Sequence, residues 1–294
     1  MKSFVEHLRF LEKMALRLRI DLLGMLHNSK SGHLGGSLSV IEMMVAVYYG
    51  QLPRGPVLKY DPSKPGSDEQ DYFVLSKGHA SPAWYVILAD LEFFSKNELL
   101  GFRQVNSLLQ AYPSKKIPGV VLSTGGPGYG LAAAVGLAMS LKADRASNHV
   151  FCLAGDGELQ DGQFWEAVLL ANQYKLDNLT LLIDWNGLQM DGVVRSVVGI
   201  EPIADKFESF GWKSIPVTDG HNFEDLLIGL ERALETQRRP SVLICRTIKG
   251  KGVVFAENKA SYHAEVLSDE EMSDALPKLE AELENFNLVN QSDN

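Results

Sequence analysis

The chain has 294 residues, 45% of them hydrophobic, which is room for one large α/β domain or two small ones. Its formal net charge of −9 argues against a general nucleic-acid-binding surface, although a local pocket can still hold an anion. No run approaches the ~18 apolar residues of a membrane span, and the N-terminal MKSFVEHLRFLEK is too charged for a secretory signal, so a cytoplasmic enzyme without membrane contact is expected.

Leu8, Leu11, Ala15, Leu18, Leu22 and Leu26 recur at spacings of three and four, which predicts a packing helix over residues 4–28. SGHLGGSLS, residues 31–39, then surrounds His33 with small side chains ahead of an apolar helix from Val40 to Tyr48. Residues 51–70 hold four of the twelve prolines and no periodicity, so they read as an exposed connection within a domain. A short strand, Tyr72 to Leu75, runs into SKGHASP, which puts His79 on a strand-to-helix turn where it can donate to a phosphate beside helix N-terminal amides. The run Val120 to Leu122 is a candidate strand before the glycine-rich STGGPGYG, residues 123–130. Gly128 to Ala133 satisfies G-x-G-x-x-A, the start of a dinucleotide fingerprint, but no acidic residue closes a second strand ~20 positions later. The glycines are therefore read as close packing against a cofactor or a neighbouring backbone.

The next stretch organises the chain. The strand-like run Val150 to Leu153 breaks into Gly155-Asp156-Gly157, a helix follows with Phe164, Ala167, Val168, Ala171 and Tyr174 on one face, and a second strand, Leu179 to Ile183, stops at Asn186-Gly187. Both strands of a parallel βαβ unit end at the same edge of the sheet, so Asp156 and Asn186 should meet there. One carboxylate and one amide oxygen beside glycine turns suit magnesium, which shares few protein oxygens with the diphosphate oxygens of its ligand. Each turn taken singly would be ordinary. Cys152 and Cys245 lie inside apolar runs, where a small buried thiol is expected rather than a ligand or a disulfide. Beyond them, a strand around Ile215 to Val217 leads through Thr218-Asp219-Gly220-His221-Asn222 into a helix, Phe223 to Leu234, for which that turn is expected to serve as a cap. Ser241 to Arg246 is another buried strand, and TIKGKG, residues 247–252, reads as a mobile solvated loop. Ser268-Asp269-Glu270-Glu271 forms a capping box for a final helix, and residues 287–294 are expected to be a disordered tail after a single domain over 1–286. The alternation of strands and helices predicts a doubly wound, mainly parallel α/β sheet.

The wording GDGELQDG, KLDNL and NGLQMDG resembles the thiamin diphosphate motif, and transketolases in particular; the resemblance runs from about residue 8 to 275. It implies the thiamin diphosphate-binding fold, in its diphosphate-binding domain. SGHLGG is similar to the family's SGHPGG, which makes His33 the match to a histidine facing the reacting carbon. His79 matches a histidine on the cofactor diphosphate, and His263, in SYHAE, matches one near diphosphate and substrate. STGGPGYG resembles STGSLGQG, so Gly125, with Gly126 and Pro127, implies a backbone that meets the cofactor. Gly155, Asp156, Gly157, Glu158 and Asn186 complete the implied cofactor site. Asp156, Asn186 and the main-chain carbonyl of Leu188 are the implied ligands of Mg2+, or of another divalent cation such as Ca2+. His33 and His263 are the implied catalytic proton donors and acceptors.

Departures from the family's wording carry their own expectations. Leu34 replaces a proline, and Asp161 replaces a glutamate at a subunit contact. Tyr112, in LLQAYPS, stands where the family has the histidine of Gly-His-Pro, which helps to bind the hydroxymethyl end of the donor. An unusual donor or acceptor is expected. The resemblance covers only the N-terminal half of a transketolase, without the pyrimidine-binding domain whose glutamate activates the cofactor. It implies the N-terminal subunit of a split transketolase, working as α2β2 with a separate C-terminal subunit on sugar or sugar-phosphate substrates, and moving a two-carbon ketol unit from a ketose to an aldehyde. Three alternatives stand beside it: a decarboxylating transferase fed by a 2-keto acid, a nicotinamide-dependent dehydrogenase, and a noncatalytic regulatory homologue.

Overall fold

The apolar runs of the sequence become one five-stranded parallel sheet: β1 (Tyr72–Leu75), β2 (Val150–Gly155), β3 (Leu179–Trp185), β4 (Lys213–Val217) and β5 (Ser241–Arg246), in the order β1-β2-β3-β5-β4. The computed structural model describes residues 3–64, 67 and 69–292. β2, β3 and β5 are buried over nearly their whole length, because a parallel sheet is covered on both faces and needs apolar side chains on both. Pro216 sits in β4, an edge strand, where its missing N–H costs no ladder bond.

Alternate residues of each strand feed two cores. Phe151 and Leu153 join Leu182, Leu243 and the helices α1 (Phe4–Ser29), α2 (Leu34–Leu38), α3 (Ile41–Tyr49) and α4 (Ser81–Asp90). Val150, Cys152 and Ala154 join Leu181, Ile183 and the helices α5 (Tyr129–Ala143), α6 (Gly162–Gln173) and α7 (Ile203–Ser209) on the other face. A further helix, α8 (Phe223–Glu235), completes the first layer. The register sets Gly155 against Asp184 and Asp184 against Cys245, so three strands end level at one edge. Gly130 explains the dinucleotide-like pattern: a Cβ there would lie 2.3 Å from the Cα of Ser76, so the glycine lets α5 approach the turn after β1.

Two expectations need correction. Residues 120–122 form no strand; they run as irregular chain toward the glycine-rich loop, with no ladder partner. Residues 51–70 include a small hairpin, Gln51–Leu52 with Gly55–Pro56. The last helix is α9 (Asp269–Ser292). From Lys278 to Ser292 there is neither glycine nor proline to stop it; residues 293 and 294 lie outside the described residues. The capping box is present, with Ser268 Oγ accepting from the Glu271 amide at 3.2 Å and Glu271 accepting from the Ser268 amide at 2.8 Å. Among the described residues no helix is long and apolar enough to cross a membrane.

Candidate active site

The level strand ends open into a cleft of about 440 Å³. It is lined by His33 from the turn before α2, Lys77 and His79 after β1, Gly125 and Pro127 before α5, Gly155 to Glu158 after β2, Asn186 and Leu188 after β3, Lys249 after β5, and His263. The structure thus gathers sequence-predicted residues from six separate segments. Gly126 does not line the cleft; it lies under the ring of Tyr129, whose Cδ2 would be 2.6 Å from a Cβ there.

Asp184, the charged residue of β3, is fully buried behind the cleft lining, against Lys77 and Asn186. Its carboxylate pairs with Lys77 and accepts from the Thr247 hydroxyl, from Ser39 Oγ at 2.6 Å and from Asn186 Nδ2 at 2.9 Å. Burial pushes its pKa up, but Lys77 and these donors outweigh burial and hold it below the usual carboxylate range. Because the Asn186 amide nitrogen is spent on Asp184, its oxygen is turned the other way, where it accepts from the Leu188 amide at 3.0 Å.

Asp156 meets the Asn186-Gly187 turn as the parallel geometry requires: its carboxylate accepts from the Gly187 amide at 2.6 Å and the Gly157 amide at 2.9 Å. Only 3% of Asp156 is exposed, and burial, followed by the nearby Asp184 charge, pushes its pKa up to about 7. A divalent cation would reverse that shift. Among the described residues no three His, Cys, Asp or Glu side chains gather as ligands. A cation here would therefore rest on carboxylate, amide and carbonyl oxygens together with oxygens of a bound anion, the donor set that magnesium accepts. The residues present fit that group.

Lys249 corrects the expectation of a solvated loop. It is 1% exposed, and its ammonium donates to the Leu188 carbonyl at 3.1 Å and to His263 Nδ1 at 2.8 Å. Burial, then the charge of Lys77, lowers its pKa to about 8. Donation to Nδ1 places the His263 proton on Nε2, facing away from the lysine. His33, His79 and His263 form a cluster with ring centroids 5.4, 5.7 and 4.9 Å apart. All three are depressed by burial first; Arg103 and Lys249 add to this at His33, Lys77 at His79, and Lys249 at His263, which falls to about 3. The rings are thus neutral near pH 7 and able both to donate and to accept a proton.

Glu158 works on the protein itself. Its carboxylate accepts from Ser76 Oγ at 2.6 Å, the Gly128 amide at 3.0 Å and the Gly155 amide at 2.8 Å, tying together three of the loops that wall the cleft. Tyr112 sits at the rim, 45% exposed, with its ring on the close approach of Gly78 to Gly125; a Cβ on Gly78 would lie 3.0 Å from both Gly125 Cα and Tyr112 Cδ1. In the turn before α8, Asn222 is the cap, accepting from the Asp225 amide at 3.0 Å, whereas His221 points inward to Glu42. Sequence reading missed Lys77, Asp184 and Lys249. The available signal was a charged residue ending an apolar strand, LTLLID, and lysines inside the two turns that follow β1 and β5.

Fold and cleft together define a doubly wound α/β domain with its polar cleft at the carboxyl edge of the sheet. The chain belongs to the transketolase family: the family model described as "Transketolase, thiamine diphosphate binding domain" matches residues 11–292. It is 37% identical over 252 residues to the 6-deoxy-6-sulfo-D-fructose transketolase subunit of Clostridium sp. (strain MSTE9), covering 85% of this chain and 89% of that one. It is 34% identical over 280 residues to an apulose-4-phosphate transketolase subunit of Phocaeicola vulgatus, covering 95% and 97%. The crystal structure of Campylobacter jejuni transketolase matches with a TM-score of 0.85 at 30% identity, over 92% of this chain but 42% of that one. The chain therefore spans less than half of a solved transketolase and nearly the whole of the two bacterial subunits.

Proposed function

We propose that this chain is the N-terminal, thiamin diphosphate-binding subunit of a two-subunit transketolase that moves a two-carbon ketol unit from a ketose to an aldehyde. The observation that carries the reading is the convergence of Asp156, the Asn186–Leu188 turn, Lys249 and three neutral imidazoles on one cleft. Asp156, Asn186 Oδ1 and the Leu188 carbonyl would hold Mg2+, or Ca2+ in its place; His79 and Lys249, beside Gly157, would hold the diphosphate. When bound, thiamin diphosphate supplies the nucleophilic carbon and the electron sink needed to break a carbon–carbon bond beside a ketone. His33 and His263, being neutral, would pass protons to and from the substrate's oxygens.

A separate C-terminal subunit with the pyrimidine-binding domain would cover the cleft, in an α2β2 assembly. Support comes from the two relatives of similar length that are named as subunits, and from exposed apolar side chains on the adjacent helices α5 and α6, Tyr129, Leu169 and Leu170, with Tyr174 just beyond α6. Tyr112 at the rim, and relatives named for 6-deoxy-6-sulfo-D-fructose and apulose-4-phosphate, support an unusual sugar substrate; a 2-keto acid donor is not favoured by relatives named as transketolases. Two buried free cysteines support a cytoplasmic setting. The test is reconstitution. The chain mixed with the neighbouring-gene product is expected to transfer ketol units only in the presence of Mg2+ and thiamin diphosphate, and Asp156→Ala to lose metal-dependent cofactor retention. Full turnover by this chain unaided, or unchanged retention in Asp156→Ala, would overturn the reading.

A further inference from the structure

A buried charge network behind the cleft joins four segments far apart in sequence. Arg19 of α1 and Glu42 of α3 form an ion pair, and the second Glu42 oxygen accepts from His221 Nδ1 at 2.9 Å. Arg19 and Glu42 are 5% and 6% exposed, and the His221 side chain 7%. Burial raises the Glu42 carboxyl, but Arg19 and His221 outweigh it and bring it down to about 2, so the carboxylate stays ionised. Each outer member also bonds the same short loop: His221 Nε2 accepts from the Ile248 amide at 2.8 Å, and Arg19 Nε donates to the Lys251 carbonyl at 3.0 Å.

We propose that Arg19, Glu42 and His221 are positioning residues, a clamp that grips both ends of the 248–251 loop and so aims Lys249 into the cleft. The geometry of the loop makes such a clamp necessary. Lys-Gly-Lys-Gly has little side-chain packing of its own, and Gly250 adopts a positive φ of 82°, a conformation that the backbone alone does not enforce. The loop is further held where the Gly250 amide donates to the Gly35 carbonyl at 3.0 Å. Gly252 lies against Arg19, where a Cβ would sit 2.6 Å from Cδ, so the guanidinium is also the wall on which the loop rests. A buried ion pair gives little net stability over apolar packing of equal volume, and orientation is the work for which the hydrogen bonds of this network are suited. Donation from Nδ1 to Glu42 fixes the His221 tautomer and leaves Nε2 as the acceptor that Ile248 needs.

The consequence for cofactor affinity rests on the proposed diphosphate site; the placement of Lys249 does not, and it is read first. In the full chain with 13C-labelled lysine, the Lys249 Cε resonance is identified as the one missing from Lys249→Met. His221→Asn keeps an amide nitrogen where Nδ1 faces Glu42 but is too short to reach the Ile248 amide, and it is expected to move that resonance to the position of solvated lysines. His221→Gln, whose amide oxygen reaches the place of Nε2, is expected to keep it. If His221→Asn does not fold, Arg19→Lys, which retains the charge beside Glu42 without the Nε bond to Lys251, takes its place with the same expectation. In the presence of Mg2+ and the C-terminal partner, thiamin diphosphate is expected to bind His221→Asn roughly tenfold more weakly, in line with one charge-assisted hydrogen bond lost. It should bind the His221→Asn, Lys249→Met double variant no more weakly than Lys249→Met alone. An unmoved resonance, equal effects of Asn and Gln, or additive losses in the double variant overturn the clamp. Failure of the unaltered assembly to bind thiamin diphosphate would instead sink the proposed function, and the resonance would still decide the clamp.

Discussion

Two couples of opposite charge lie at the carboxyl edge of the sheet, and they are built differently. The inner couple, Lys77 and Asp184, is closed: the charges touch, and Ser39, Thr247 and Asn186 take up the remaining acceptor positions of the carboxylate. The outer couple, Lys249 and Asp156, is open. Among the described residues neither has an ionic partner, and each leans on neutral groups: the Leu188 carbonyl and His263 for the lysine, the Gly157 and Gly187 amides for the aspartate. Their pKa values show the difference, with Lys249 lowered to about 8 and Asp156 raised to about 7, whereas Asp184 is held low. Satisfied charges are structural; unsatisfied ones mark where ligands of opposite sign gain most.

The largest effect should come from breaking the inner couple. Lys77→Met leaves Asp184 buried without its cation, a change expected to destabilise the fold by about 3–5 kcal/mol. Chemical denaturation of the chain without ligands measures this; a loss under about 1 kcal/mol would show that the inner pair is no more structural than the outer one. Lys249→Met should do the opposite. With no carboxylate to orphan, it is expected to leave stability unchanged or raised, while weakening thiamin diphosphate binding by roughly 30-fold, about 2 kcal/mol for a charge-assisted bond. Its pH signature has a definite sign. A lysine depressed to about 8 in the folded chain binds fewer protons than the unfolded chain up to ~10.4, so stability should rise with pH across that window. The rise should vanish in Lys249→Met, and its persistence would mean that another group is responsible.

The same contrast explains what the sequence could disclose. The strands β2 and β3, the βαβ logic that brings Asp156 to the Asn186-Gly187 turn, and the histidine-bearing turns were legible because periodicity, glycine and strand ends are local signals. Asp184 was not: within LTLLID it looks like the end of an apolar run, and its role exists only once Lys77, Ser39 and Thr247 arrive from three other segments. Lys249 was misread for the same reason. Local composition says solvated loop, and burial is imposed from outside by Gly35, His263 and the Arg19–Glu42–His221 network.

The smallest and most selective test concerns Asp156. A carboxyl raised to about 7 holds its proton in the folded chain, without metal, over pH values at which the unfolded chain, near ~3.9, has lost it. Its contribution to stability is therefore full below the unfolded value and lost as pH rises through about 7. A divalent cation replaces that proton and removes the penalty. Stabilisation by Mg2+ should accordingly be slight near ~pH 5 and reach its plateau above ~pH 8, with apparent affinity falling up to about tenfold per pH unit below 7. Asp156→Asn should lose both the metal effect and its pH dependence while melting higher than the unaltered chain at ~pH 8. Thermal melts with and without Mg2+ across this range decide the matter: equal metal shifts at ~pH 5.5 and ~pH 8 would place the cation elsewhere, and the open couple would lose its acidic half.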